Sequence, residues 1–324
     1  MSGQEPRRFP SSGGQLAYVA LGSGEAVLLL HGFPSSSAIW RDLAPTLAQR
    51  FRVIVPDLLG YGASDRPAHA PLDLAAQARY VRELLDHLEV GRVAIVGHAH
   101  GGGIAQLLAL DGLDVGAIVL VSSVGFDAWP IESIRDVQGI DPDRLTPELV
   151  EAGMRAVLLT GVFDQAVVTD ELVAAYVGPW VGEGGPATVV RAANALDGQG
   201  LTGHEATFAR WSFPILILWG EDDPFLPASL AERLQDAMPS SSLGLLPGIG
   251  HFVFDEAGPT VVPMIAGWLR AAYLGAPHAH GGLQEGVVMV QLERRSALED
   301  LAEYEHEDTP VRYDPDDQEV GPNP

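Results

Sequence analysis

Four short apolar runs, separated by helical patterns, are the feature of this sequence that most restricts its fold. Each run is continuously apolar apart from an Arg or a Ser at one end of three of them, which is typical of parallel strands buried on both faces of a sheet. Apolar residues at i, i+3, i+4 and i+7, beginning at Val81, predict a one-sided helix between two of the runs. This alternation predicts a parallel sheet built from right-handed crossovers. The runs are AVLLL (26–30), RVIVP (52–56), RVAIV (92–96) and AIVLVS (117–122).

A helical interval interrupts the alternation before two further runs complete it. ILILW (215–219) and SLGLL (242–246) are predicted strands, whereas the residues between 124 and 211 show helix-like stretches and no clear strand. We therefore predict an α/β fold, a mostly parallel sheet flanked by helices, with an inserted helical cap. The predicted boundaries are core 1–123, cap 124–211, core 212–275 and an acidic extension 276–324, which we expect to be partly disordered.

Composition excludes several chemistries and partners. The 324 residues contain no cysteine, which rules out disulfides and a thiolate nucleophile, and all 19 basic residues are arginine, which rules out a Schiff-base lysine. The formal net charge of −24 argues against a nucleic acid or an anionic membrane as partner, because both require a positive surface. The sequence has neither an apolar run of membrane-spanning length nor the apolar region of a signal peptide, so we expect a cytoplasmic protein.

The segment 93–110 contains the strongest local motif. An apolar strand runs directly into GHAHG (97–101) and then into a predicted helix. This spacing is typical of a nucleophile elbow, G-x-Nu-x-G, in which the turn is so tight that its flanking positions require glycine. The side chain at the apex, Ala99, then points out at the carboxyl end of the sheet, where backbone N–H groups and the helix dipole stabilise negative charge.

Four more polar or glycine-rich segments follow predicted strands. Because the carboxyl ends of parallel strands lie at one edge of the sheet, we expect these segments to meet around Ala99. The backbone N–H of Phe33 is expected to be one oxyanion-hole donor, and the backbone N–H of His100 the other. The four segments are His31–Pro34, Asp57–Asp65, Trp219–Pro224 and Gly248–Phe252.

Taken in order, these segments resemble the α/β-hydrolase superfamily over residues 16–273. HGFPSSSAIW, PDLLGYGASD, GHAHGGG, WGEDDPFLP and GIGHF occur in the order of that family. HGFP followed by Trp40 is most similar to the branch that contains epoxide hydrolases, haloalkane dehalogenases and C–C hydrolases. The resemblance implies that Asp223 is the catalytic acid, with Asp222 as the competing choice, and that His251 is the catalytic base. We expect a small-molecule substrate and no cofactor.

The sequence departs from this family at the apex of the elbow. Family members carry Ser, Asp or Cys there, whereas the methyl group of Ala99 cannot attack a carbonyl, an epoxide or a carbon–halogen bond. Three explanations stay open. In the first, Ala99 is a substitution made to trap a substrate. In the second, Ala99 belongs to a natural enzyme that keeps the His251–Asp223 pair and the oxyanion hole for non-covalent chemistry. In the third, the protein is a pseudoenzyme that binds a ligand without turnover.

The first functional hypothesis is hydrolysis of an ester, a C–C bond or an epoxide in a small, fairly apolar substrate held between core and cap. The alternatives are a non-hydrolytic enzyme (an isomerase, epimerase, cyclase, lyase or cofactor-free oxygenase of specialised metabolism) and a silent ligand-binding protein. His98 and His100 lack an evident third ligand, so we predict no metal site, and a homodimer stays open. The candidate substrate contacts are His31, Trp129, Tyr176 and Trp180.

Overall fold

The described part of the chain contains one eight-stranded sheet. The computed structural model describes residues 5–128, 132–182, 184–196 and 200–275. The strands are β1 (Arg7–Ser11), β2 (Gly14–Leu21), β3 (Ala26–Leu30), β4 (Arg52–Pro56), β5 (Val93–His98), β6 (Val115–Val121), β7 (Ile215–Gly220) and β8 (Ser241–Leu246). Their order is β1-β2-β4-β3-β5-β6-β7-β8. Strands β3 to β8 pair in parallel, whereas β1 with β2 and β2 with β4 pair antiparallel.

The six parallel strands confirm the predicted fold class. β3 coincides with the predicted run 26–30, and all five of its residues are buried. All seven residues of β6 are buried as well. Burial on both faces explains why these strands show no alternation of polar and apolar residues. The sequence analysis did not predict β1, because only Phe9 of this edge strand is buried and its pattern is correspondingly weak.

Helices flank the sheet. They are α1 (Leu43–Ala48), α2 (Leu74–His87), α3 (His100–Leu110), α4 (Glu132–Gln138), α5 (Pro147–Gly161), α6 (Asp170–Val181), α7 (Gly185–Asn194), α8 (Glu205–Phe208), α9 (Ala228–Ala237), α10 (Val253–Glu256) and α11 (Gly258–Leu269). The predicted stripe that begins at Val81 is buried in α2, and the carboxylate of Asp73 accepts the N–H of Ala76 to cap that helix. In the described residues, no helix has the length and apolar character needed to cross a membrane.

In the described residues, five α-helices lie between β6 and β7. We call the described residues from Glu132 to Phe208, which hold α4 to α8, the helical insertion. Its longest helix, α5, begins with Pro147 at a position where a missing N–H costs nothing, and the hydroxyl of Thr146 accepts the N–H of Leu149. The predicted acidic extension 276–324 lies outside the described residues, so the domain boundaries stay predictions.

The helical insertion contacts the core at loops that follow the strands. Trp180 of α6 donates a hydrogen bond to the carbonyl of Pro34, which follows β3. The last residue of α5, Gly161, accepts the N–H of His251, which follows β8. These contacts place the insertion at the carboxyl ends of the parallel strands, where the motifs of the sequence also lie.

Candidate active site

Ala99 occupies the apex of a sharp turn between β5 and α3. Its backbone has φ 51° and ψ −114°, a strained combination for a residue with a side chain. Strain of this kind costs roughly 1–3 kcal/mol. A Cβ at Gly97 would overlap the carbonyl of Gly101, and a Cβ at Gly101 would overlap the carbonyl of Leu30. Backbone contact therefore requires both glycines of the elbow, and Ala99 itself is fully buried.

His251 and Asp223 form a buried pair beside the elbow strand. His251 Nδ1 lies 2.8 Å from Asp223 Oδ2, and the two side chains are 4% and 0% exposed. The other carboxylate oxygen accepts the N–H groups of Phe225 at 2.8 Å and Leu226 at 2.9 Å. Because Nδ1 of the neutral ring donates to the carboxylate, Nε2 carries the lone pair that can accept a proton. This is the arrangement of an oriented general base.

Asp222, the competing choice for the acid, has a different contact. Its Oδ2 accepts the N–H of Gly248 at 2.9 Å, and its own N–H donates to the carbonyl of Ile249 at 3.1 Å. Asp222 therefore closes the turn that leads from β8 to His251. The structure brings Asp223, and not Asp222, to the imidazole.

His98, the residue before the apex, contacts the backbone of His251. Its Nε2–H donates to the His251 carbonyl at 2.9 Å, and the two ring centroids are 4.9 Å apart. Burial, and then repulsion from His251, lowers the pKa of His98 to about 3, so its ring is neutral. Within the described ranges, no group of three or more His, Asp and Glu side chains is placed to hold a metal ion.

The predicted oxyanion hole is altered by one side chain. The N–H of Phe33 donates to Nδ1 of His100 at 3.3 Å. This bond makes the neutral imidazole an Nε2–H tautomer, and burial lowers the pKa of His100 to about 3. The sequence analysis assigned only the backbone N–H of His100 to the site and overlooked its ring. A substrate oxygen can reach the N–H of Phe33 only when that ring moves away.

His31, a predicted substrate contact, hydrogen bonds to the backbone through both ring nitrogens. Its Nδ1–H donates to the carbonyl of Gly32 at 3.0 Å, and its Nε2 accepts the N–H of Leu58 at 3.0 Å. This fully buried residue thus joins the loops after β3 and β4, and substrate contact by His31 stays a prediction. Trp129, another predicted contact, lies outside the described residues.

Tyr176 and Trp180 bind the core through their polar atoms. The hydroxyl of Tyr176 donates to Asp255 Oδ2 at 2.6 Å, and Nε1 of Trp180 donates to the carbonyl of Pro34 at 2.8 Å. Burial and the nearby Asp255 raise the pKa of Tyr176, which keeps its hydroxyl protonated. The indole of Trp180 packs edge-on against Tyr61, with the ring centroids 5.2 Å apart. Substrate contact by these two residues stays a prediction, since their polar groups hold α6 on the core.

A cavity of about 380 Å³ lies between α6 and the loop after β3. Ala99 and His251 do not line it, because the ring of Phe252 separates His251 from the cavity wall. Phe252 packs against Tyr176 at 5.6 Å and against His251 at 5.4 Å between ring centroids. The lining of the cavity includes Ser35, Ile39, Arg41, Leu172, Tyr176 and Asp255.

Three carboxylates that the sequence analysis did not assign accept hydrogen bonds from segments around the site. Asp57 is the first residue of the polar, glycine-rich segment Asp57–Asp65. Asp255 and Glu256 follow His251 and lie within the short helix α10. Their position shortly after the predicted base is the only local signal for the last two. Asp57 accepts the N–H groups of Ser37 and Ala63 at 2.8 Å each, Asp255 accepts Arg41 Nη2 at 2.8 Å, and Glu256 accepts the N–H groups of Gly250 at 2.9 Å and Phe163 at 2.7 Å.

Comparison with known proteins identifies the family. A family model described as alpha/beta hydrolase fold matches residues 25–146. The crystal structure of an α/β-hydrolase fold protein from Burkholderia ambifaria is 31% identical, with a TM-score of 0.75, and the match covers 81% of this chain and 97% of that one. The chain therefore belongs to the α/β-hydrolase fold superfamily.

Curated relatives confirm the branch that the motifs resemble. Haloalkane dehalogenase 2 of Mycobacterium tuberculosis is 28% identical over 270 residues, which are 81% of this chain and 93% of that protein. The 2-hydroxymuconate semialdehyde hydrolase of a Pseudomonas species is 29% identical over 259 residues, which are 78% and 89% of the two chains. The chain is thus related to haloalkane dehalogenases, epoxide hydrolases and C–C hydrolases.

Proposed function

We propose that this chain is a hydrolase in which His251 acts as a general base and no covalent intermediate forms at position 99. The observation that carries the proposal is the buried 2.8 Å contact between His251 Nδ1 and Asp223 Oδ2. The methyl group of Ala99 has no lone pair to offer an electrophile, but the His–Asp pair does not depend on that residue. The chain keeps the base that the family resemblance implies and lacks the nucleophile.

In the proposed hydrolysis, His251 activates water directly. Its Nε2 takes a proton from a water molecule while the water oxygen forms the new bond to the carbonyl carbon of an ester. The imidazolium then gives the proton to the departing alkoxide, so that water and ester yield an acid and an alcohol. Asp223 stabilises the imidazolium between the two steps. The same base can direct water at a C–C bond beside a carbonyl or at an epoxide carbon.

The proposed substrate is small and fairly apolar and is held between the core and the helical insertion, which acts as a cap. Between these parts lies a cavity of about 380 Å³, within the size range of ligand pockets, although the residues that line it include neither Ala99 nor His251. Its apolar lining residues, such as Ile39 and Leu172, support the apolar character. The relatives named as hydrolases and dehalogenases support the choice of an ester, a C–C bond or an epoxide.

A second candidate function is proton transfer at carbon, as in an isomerase, epimerase, cyclase, lyase or cofactor-free oxygenase. The methyl group of Ala99 favours it, because proton transfer at carbon needs the base of the His251–Asp223 pair but no nucleophile at position 99. Here His251 Nε2 removes a proton from a carbon next to a carbonyl, and the enolate is reprotonated at another position. This reaction needs no nucleophilic attack by residue 99.

Turnover by His251 variants tests the proposal. Small apolar esters, epoxides and ketones are incubated with the wild type, His251→Ala and Asp223→Asn, and ketones are also followed in deuterated water for exchange at carbon. We expect the wild type to act on one of these classes and His251→Ala to lose about 10²- to 10⁴-fold of that rate. Asp223→Asn is expected to lose most of it, because the imidazole no longer has a carboxylate to orient it and to stabilise its charged form.

The controls separate the candidate functions. His69→Ala, at an exposed position, is expected to keep the wild-type rate. Hydrolysis products support the first candidate, and deuterium exchange without hydrolysis supports the second. A rate that survives in His251→Ala overturns the role of the base. Ligand binding without turnover in any assay favours the silent binding protein.

A further inference from the structure

The end of α5 is joined to the loop that carries His251 by a main-chain hydrogen bond. The backbone N–H of His251 donates to the carbonyl of Gly161, the last residue of α5, at 2.7 Å. The last four carbonyls of a helix have no partner within the helix, so Gly161 is free to accept this bond. The proposed catalytic base is therefore attached to the helical insertion through its own backbone.

One carboxylate joins the same two segments a second time. Glu256 Oε1 accepts the N–H of Gly250 at 2.9 Å, while Oε2 accepts the N–H of Phe163 at 2.7 Å and that of Asp164 at 3.3 Å. Gly250 precedes His251, and Phe163 and Asp164 follow α5. Hydrogen bonds to a charged acceptor are about twice as strong as neutral ones. Glu256 thus connects the insertion to the His251 loop from a helix that belongs to neither segment.

The two segments also touch without side chains between them. A Cβ at Gly250 would overlap the carbonyl of Gly161 and would lie 3.0 Å from the nitrogen of Phe163. A Cβ at Gly161 would overlap the ring of Phe252. This close approach fixes the distance between the end of α5 and His251 within narrow limits, because backbone atoms cannot rotate away as side chains can.

We infer that Glu256 is a positioning residue for His251 and that the end of α5 is a fixed anchor of the site. The inference rests on the proposed role of His251 as the base. It divides the helical insertion into two parts. The end of α5 is held by main-chain atoms and by Glu256, whereas each hydrogen bond of α6 to the described part of the core involves a side chain: those of Tyr176 and Trp180, and that of Arg66, which donates to the carbonyl of Pro179. When α6 releases those side-chain bonds to admit a substrate, the anchor keeps the imidazole aligned with Asp223.

Hydrogen exchange and NMR on the full chain test the inference without a substrate. In Glu256→Ala, we expect amide exchange to rise about tenfold at Phe163, Asp164 and Gly250, since these N–H groups lose a charged acceptor, and to rise less at His251, whose N–H keeps the Gly161 carbonyl. The Nδ1–H resonance of His251, which reports its bond to Asp223, is expected to shift or broaden. Glu256→Gln, which keeps the volume and one carbonyl acceptor, is expected to show smaller changes of both kinds. The matched control is Glu232→Ala, at an exposed position of α9.

The outcomes are decisive whether or not a substrate is known. If Glu256→Ala does not fold, Glu256→Gln gives the deciding comparison with the wild type. An unchanged His251 resonance in the folded variants overturns the inference, and so does an exchange increase spread evenly over β3 to β8, which would indicate global destabilisation. Because neither readout depends on turnover, this result is separate from that of the turnover assay, which tests the base itself.

Discussion

Individual side chains decide what chemistry this site keeps. Four buried histidines surround position 99, and each has a different partner. His31 and His98 hydrogen bond to backbone groups, and His100 accepts the N–H of Phe33. Among these four, His251 is the one that is paired with a carboxylate. A carboxylate partner orients an imidazole and stabilises its charged form, so His251 is the residue suited to act as a base.

The other buried histidines are expected to make the fold sensitive to acid. In the folded protein, burial lowers the pKa of His98 and of His100 from 6.5 to about 3. Between these two values the unfolded chain binds a proton at each site and the folded chain does not. The free energy of unfolding therefore falls as the pH falls from 6.5 towards 3. Each histidine contributes a slope of about 1 kcal/mol per pH unit in this window.

Urea unfolding at a series of pH values measures that slope. Replacing one buried histidine, as in His98→Gln, is expected to reduce the slope by about 1 kcal/mol per pH unit, whatever it does to the stability at neutral pH. His69→Gln, at an exposed position, is expected to leave the slope unchanged. A His98→Gln protein with the wild-type slope would show that His98 is not kept neutral by the fold.

At the scale of elements, the sequence predicts those parts whose signal is local. β3 and β7 are apolar over almost their whole length and β4 is apolar after Arg52, and their predicted positions agree with the structure to within one residue. The elbow is predicted from its two glycines: the tight turn itself demands glycine at 97, and the close approach of β3 demands glycine at 101. Asp223 is favoured over Asp222 through its place in the family motif, and the structure pairs Asp223 with His251.

Contacts between distant elements are what the sequence does not reveal. The ring of His100 binds the N–H of Phe33 across 67 residues, and Glu256 binds that of Phe163 across 93 residues. No spacing rule links such positions, because the sheet and the insertion bring them together only in the folded chain. The hydrogen bond of Tyr176 to Asp255 is another case, and it gives the hydroxyl a partner other than the predicted substrate.

The contact between α5 and the His251 loop is expected to be intolerant of a single methyl group. Gly250→Ala places a Cβ against the carbonyl of Gly161, so we expect a loss of about 1–3 kcal/mol in the free energy of unfolding. Gly153→Ala, in the exposed middle of α5 with nothing within 4 Å of the added Cβ, is the matched control. It is expected to stabilise the protein by about 0.5–1 kcal/mol, since alanine favours a helix. Equal effects in urea unfolding would contradict the close contact.

At the scale of the whole molecule, charge and burial restrict the substrate. The net charge of −24 repels anions over the surface, which argues against an anionic substrate. Ala99 is fully buried and His251 is 3% exposed, so a substrate reaches them only when atoms around the site move. In the proposal above, the hydrogen bonds of α6 to the core open, while the anchor at the end of α5 keeps His251 in place.

Intact-protein mass spectrometry during turnover tests the central claim most directly, namely that a base without a nucleophile drives the reaction. The wild type and Ala99→Ser are mixed with an ester from the turnover panel in ¹⁸O-labelled water and quenched within the first turnover. We predict that the wild type forms labelled product while its own mass stays unchanged, and that Ala99→Ser gains the mass of an acyl group. An acyl adduct on the wild type would contradict the account, because it would reveal a nucleophile other than water.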